Sequence, residues 1–82
     1  MNIFDEALKI VTGPRRESYG PVQRSFQETA DIWSVVLKQK VTPQQVVLCM
    51  IGLKLQREAN KPHRDNRVDI AGYDFLLDIL SH

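Results

Sequence analysis

This sequence predicts an all-α fold, a small domain of four helices, on three observations. Apolar residues recur at three- and four-residue intervals along most of the chain. Proline, glycine and capping side chains cut that pattern into four runs. No run alternates apolar with polar residues as a half-buried strand would. The 82 residues make one domain, 1–82. A chain this short buries only about 60% of its unfolded surface, so its own core is marginal and a homo-oligomer is the expected remedy.

The first helix is expected over residues 3–11. Ile3, Ala7 and Ile10 share a stripe, with Phe4, Leu8 and Val11 beside it. Asn2 caps its first turn. Thr12-Gly13-Pro14 ends it, with glycine taking a left-handed exit and proline barring continuation. Such a short helix belongs either to the domain or to an arm docked on a partner subunit. A polar loop follows to Gly20, and Pro21 suits the first position of the second helix, where a missing N–H does no harm. Val22, Phe26, Ala30, Trp33 and Leu37 carry that helix to about Lys38.

The third helix has the best-marked start. Thr42 precedes Pro43 and stands three residues before Gln45, the spacing of a capping box, while Val41 and Val46 flank it as a hydrophobic staple. It runs from Pro43 to about Ala59. Val46 to Leu53 is apolar almost all round, so this helix is expected to be central and buried. Gly52 inside it predicts close approach by a neighbouring helix, because a mid-helix glycine costs about 1 kcal/mol without such a reason. Asn60 to Arg64 is a break, and Asp65 or Asn66 caps the fourth helix. Val68, Ala71, Phe75 and Ile79 form its stripe, widened by Ile70, Tyr73, Leu77 and Leu80.

Composition narrows function. Eleven Lys+Arg stand against ten Asp+Glu, a net charge of +1, which argues against a general nucleic-acid binder. One cysteine, Cys49, makes no internal disulfide and no zinc site; within an apolar run it reads as a buried thiol in a reducing compartment. The N-terminus, Met1 to Glu6, is acidic and lacks a signal-peptide pattern. The longest apolar run falls well short of the roughly 20 residues that cross a bilayer. These features predict a cytoplasmic protein with no membrane partner.

Two polar clusters flank the apolar body: Arg15-Arg16-Glu17-Ser18-Tyr19-Gly20 in the loop, and Arg67 to Tyr73 at the head of the last helix. Together they point to one shared site. Arg15 and Tyr19, four apart on a loop, suit gripping a phosphate and stacking on a base. Lys54 and Arg57 share a helix face and offer a point charge and a bidentate fork for phosphoryl oxygens; the bland reading is a snorkelling lysine and a surface arginine near a helix C-terminus. Asp65 and Asp69 read as cap and first-turn carboxylates, or as acceptors for a base or ribose, or as Mg²⁺ ligands with Glu28 and Asp31 as a second acidic pair. Tyr73 joins them four residues after Asp69. His63, without a companion at ligand spacing, reads as a surface residue, and His82 is terminal. No Gly-rich phosphate loop, nucleophile elbow or Cys/His pair of known spacing occurs.

Thr12-Gly13-Pro14-Arg15, Tyr19-Gly20-Pro21, Phe26, Ala30, Ile32-Trp33-Ser34, Val41-Thr42-Pro43, Lys54, Arg57 and the closing Asp65-Asn66 and Val68-Asp69-Ile70-Ala71-Gly72-Tyr73 resemble an uncharacterised family of small phage and prophage proteins. The D-x-x-x-D-I-A-G-Y element is the most specific part. More distantly the layout is similar to MazG-like nucleotide pyrophosphatases, all-α oligomers with metal-binding carboxylates on paired helices. The E-E-x-x-E cluster of that family is missing here, and Glu28 and Asp31 replace it poorly. The resemblance implies a phage protein in the host cytoplasm. The convergence of the charged and aromatic residues themselves predicts binding of a nucleotide or cyclic nucleotide through Arg15, Tyr19, Lys54, Arg57, Asp65, Asp69 and Tyr73, with either capture or hydrolysis as the outcome. The alternatives are an inhibitor of a host protein, a Mg-dependent pyrophosphatase, and a structural or assembly module.

Overall fold

The computed structural model of the chain describes residues 1–13 and 21–81. Its elements in order are α1 (Ile3–Thr12), α2 (Val22–Leu37), α3 (Pro43–Asn60) and α4 (Arg64–Leu80), with no strand among the described residues. The expected all-α, four-helix domain is what the chain forms. It measures 39 × 31 × 22 Å, so its short dimension holds two helix layers.

α4 is the hub. It packs most extensively on α3, then on α1, and touches α2; α2 lies mainly on α3. α1 therefore docks on its own chain and is not an arm reaching for another subunit. Ala7 and Val11, four residues apart, turn inward from α1. They meet α4 at Gly72, where an added Cβ would stand 3.5 Å from Val11 and 3.8 Å from Ala7. Arg64 fixes the N-terminal ends of these helices by donating to the Glu6 carboxylate and to the Met1 carbonyl, the latter at 3.0 Å.

The caps follow the sequence with three differences, the first at Pro21, which stands at the N-cap of α2 with extended ψ and not at its first helical position. Asn2 Oδ1 accepts from the Asp5 N–H at 2.8 Å. The Thr42 hydroxyl accepts from the Gln45 N–H at 3.1 Å while Gln45 Oε1 accepts from the Thr42 N–H at 2.9 Å, completing the capping box. Thr42→Ala removes one half of that exchange and is expected to lower stability by about 1 kcal/mol, read from the urea midpoint. Gly13, by contrast, does not take a left-handed exit: its φ is −92° and ψ −154°. Glycine is needed there because a Cβ would lie 2.6 Å from the Lys9 carbonyl oxygen. Neither Asp65 nor Asn66 caps α4; the cap is His63, whose Nδ1 accepts from the Asp65 N–H at 3.2 Å. Among the described residues the one left-handed non-glycine residue is Lys38, closing α2. Ser34 secures the turn beyond it, accepting from the Val41 N–H at 2.8 Å and donating to the Ala30 carbonyl at 2.7 Å.

The core is thin. Among the described residues its buried apolar members are Ala7, Val11, Val22, Ala30, Val46, Val47, Val68 and Leu76, and the largest fully buried side chains there are two valines, Val46 and Val47. α3 is not wrapped by apolar neighbours. Leu48, Leu53 and Leu55 are exposed; Cys49 is exposed too, not buried as expected, and among the described residues nothing lies within 4 Å of a Cβ built at Gly52, so the close approach expected there is not made. The physical reason is placement: among the described residues α2 and α4 pack on α3, and α1 does not reach it. On α2, Leu37 likewise leaves the expected stripe and is exposed, while Phe26 and Trp33 are half-buried.

Candidate functional site

A cavity of about 320 Å³ opens between α1, α2, α3 and α4. Its size falls at the lower end for small-ligand sites. Ala7 and Val11 of α1 and Phe26 of α2 supply apolar wall, and α4 supplies Gly72, Leu76 and Tyr73. Two charged side chains enter it, Lys54 from α3 and Asp69 from α4. They meet as an ion pair at 2.9 Å, with Lys54 only 15% exposed and Asp69 33% exposed.

Local sequence explains the pairing. Val47 and Lys54 lie seven residues apart, two turns along the same face of α3. Lys54 therefore continues the inward stripe one step past its apolar part. Val68, Gly72 and Leu76 line the inward edge of α4 at four-residue spacing, and Asp69 and Tyr73 run parallel to them one position on. The Lys54 ammonium gives Asp69 one of its three donors, which leaves two to offer. The Tyr73 hydroxyl has no hydrogen-bond partner among the described residues, and its ring packs against the cluster of Val11, Val22 and Leu76. The arrangement presents a cation, a carboxylate and a phenol in a space otherwise walled by apolar side chains.

The sequence-predicted residues divide accordingly. Lys54, Asp69 and Tyr73 are brought together. Arg57 is exposed and does not line the cavity, and its guanidinium has no ion pair among the described residues. Asp65 sits at the exposed head of α4, its carboxylate 3.8 Å from His63 Nδ1. Arg15 and Tyr19 lie outside the described residues; the segment that carries them joins α1 to α2, the helices that contribute Val11 and Phe26. Of the acidic pair on α2, Glu28 accepts from Arg24 and Asp31 from Gln27, both along their own helix. Among the described residues no group of three or more His, Cys, Asp or Glu is close enough to hold a metal ion. No helix among them is long and apolar enough to cross a membrane.

Phe26, like Ala7, Ile10, Val11 and Val68, lines the cavity although its sequence position assigns it to the core alone. Its stripe position predicted burial and gave no sign that it would edge a cavity. Glu58 was missed as well. Its carboxylate accepts from the His63 N–H at 2.8 Å, from Asn66 at 3.3 Å and from Arg67 at 2.5 Å, so it holds the α3–α4 corner. The His63 backbone bond first, then Arg67, hold its carboxyl below the usual 4.5, with Asn66 adding and desolvation opposing. A lowered folded pKa gives stability that is present above the unfolded pKa and lost as pH falls through the folded one. Glu58→Gln is therefore expected to be less stable than wild type at pH 7. The gap should close progressively below about pH 4.5 in urea titrations at a series of pH values.

The family model described as a domain of unknown function, DUF6378, matches residues 2–80. The chain belongs to that family. The DUF6378 chain is similar to two phage proteins. The Gene 55 protein of Mycobacterium phage L5 is 35% identical over 80 residues, covering 95% of this chain and 51% of that protein. The Gene 55 protein of Mycobacterium phage D29 is 32% identical over 73 residues, covering 88% and 48%. The chain thus spans about half the length of these curated relatives. No solved structure matches it. These findings place the DUF6378 chain among phage proteins of unknown function. The likeness to MazG-like pyrophosphatases is carried by none of them.

Proposed function

We propose that this DUF6378 domain binds a nucleotide or nucleotide-derived signal in the cavity between its four helices and sequesters it. The observation that carries the reading is the Lys54–Asp69 pair set beside Tyr73 in an otherwise apolar cavity. Lys54 holds a phosphoryl oxygen with the donors Asp69 leaves free, and the second Asp69 oxygen accepts from a base N–H or a ribose hydroxyl. The rings of Tyr73 and Phe26 offer faces to a planar base. Binding of this kind needs no change in the pair, because a carboxylate and an ammonium bonded to each other each keep free hydrogen-bonding positions.

The test is a thermal-melt panel of mono-, di- and triphosphates and cyclic mono- and dinucleotides, with and without Mg²⁺. A ligand at 100 times its Kd stabilises by about 2.7 kcal/mol, which for a domain this size raises Tm by roughly 10–20 °C. The reading fails if no member of the panel raises Tm, or if Lys54→Met/Asp69→Ala responds as wild type does. Release of phosphate or pyrophosphate from a bound ligand separates hydrolysis from capture.

A second reading, inhibition of a host protein, is favoured by one feature. Ile32, Val35 and Val36 lie at i, i+3 and i+4 on α2 and all face solvent. Val35→Glu should then abolish capture of a defined host protein while leaving any nucleotide shift intact.

A further inference from the structure

Two exposed apolar surfaces of this chain are opposite in shape and in charge. The first is a ridge on α2. Ile32, Val35, Val36 and Leu37 stand mostly in water, Val35 at 78% exposed. Lys38 and Lys40 follow at once, exposed and without an ion pair among the described residues. From Ile32 to Arg57 every charged residue is basic.

The second surface is a groove of about 580 Å³ between α1 and α4. Phe4 and Leu8 edge it from α1, and Ala71, Phe75 and Leu77 from α4. Phe4 is 69% exposed. The charged side chains that line it are both acidic, Asp74 and Asp78. From Val68 to Ser81 no lysine or arginine occurs. Asp74 is exposed and makes no ion pair among the described residues.

This separation is not a bias of the whole chain, whose net charge is only +1. Cations border one apolar surface and carboxylates border another. The two do not satisfy each other within one chain: α1 packs on α4, α2 mainly on α3, and α1 and α2 make no packing contact among the described residues. A foreign partner would match one of these surfaces. A second copy of the chain carries the complement of both.

We infer that copies of this chain associate head to tail, the α2 ridge of one lying in the α1–α4 groove of the next. Ile32 and Val36 are four residues apart, as are Phe4 and Leu8 on one lip and Ala71 and Phe75 on the other, and rows of that spacing interdigitate between helices. Lys38 and Lys40 then approach Asp74 and Asp78. Apolar burial supplies the affinity, and the charges set the direction. Such a contact is heterologous, so assembly extends into chains or closes into a ring. The inference is independent of the nucleotide reading. It uses the α2 face of the host-protein reading, so a bound copy and a host protein exclude each other there.

Sedimentation equilibrium of the full chain tests it. Wild type is expected to exceed the monomer mass at concentrations up to about 100 µM. Val35→Glu blocks the ridge and Phe4→Lys blocks the groove. Each is expected to weaken association at least 30-fold, roughly the loss of one hot-spot side chain, while far-UV circular dichroism stays helical. Mixing the two in equal amounts should restore association and stop it at a one-to-one dimer, because a single intact ridge meets a single intact groove. Asp74→Lys, at an exposed position, should weaken wild-type assembly about fivefold, the scale of an exposed ion pair; it and Lys38→Glu/Lys40→Glu serve as groove and ridge variants if either first choice loses helicity. A wild-type monomer at about 100 µM overturns the proposal. So does association lost in one variant and kept in the other, which would mean that a surface pairs with itself. Two monomeric variants that stay monomeric on mixing overturn it too.

Discussion

Val47→Asp is expected to abolish cooperative folding, whereas Leu48→Glu, one residue on, should keep its helical spectrum. Val47 is fully buried, and the described core contains no buried polar or charged residue that could receive a carboxylate. An unpaired carboxylate there either ionises against a large desolvation penalty or takes up a proton and remains without partners, at a cost of several kcal/mol. A domain of 82 residues has only about 4–12 kcal/mol of stability in total. Leu48 is half in water, so a charge there meets solvent, and surface substitutions usually stay within about 0.5 kcal/mol. Urea titrations followed by circular dichroism compare the two. A sharp wild-type-like transition in Val47→Asp would show that the α2–α3–α4 contact is not the centre of the fold.

That contrast also locates what the sequence made legible. Periodicity and capping chemistry are local, so helix limits were readable to within a residue or two, and the reciprocal Thr42–Gln45 exchange was readable in full. Which side of a helix meets a neighbour is not local. Val46 to Leu53 looked buried all round because periodicity counts apolar residues and knows nothing of how many helices surround them. Gly52 predicts a close approach that the described residues do not make, since a glycine in a helix marks a possible contact and not the helix that would supply it. His63 caps α4 through Nδ1, and such a role is hard to read from sequence because an imidazole accepts there only in the tautomer that leaves Nδ1 free. At the cavity, Lys54, Asp69 and Tyr73 are readable as chemistry-bearing residues, while their inward placement comes from the packing of α3 against α4. Arg57 shares their neighbourhood in sequence yet points to solvent, because a three-residue step on α3 rotates it past the edge of the packed face.

Breaking the Lys54–Asp69 pair should be asymmetric. Asp69→Ala leaves the Lys54 ammonium with 15% exposure and no counter-charge, and removing one partner of a poorly solvated pair costs far more than the pair contributes. A loss of about 2 kcal/mol is expected, less than the cost at a fully buried pair because some water reaches this one. Lys54→Met keeps most of the aliphatic stem against the cavity wall and leaves Asp69, a third exposed, able to hydrate, so it should cost about 1 kcal/mol or less. The double variant Lys54→Met/Asp69→Ala then recovers most of the Asp69→Ala loss, since neither charge remains to be stranded. Chemical denaturation of the four proteins measures the coupling, and equal losses in both single variants would mean that the cavity is wetter than its lining implies. The same cycle isolates the ligand question. A double variant that regains stability but stays silent to every nucleotide has lost the polar groups and kept the fold, and its silence is then a property of the site.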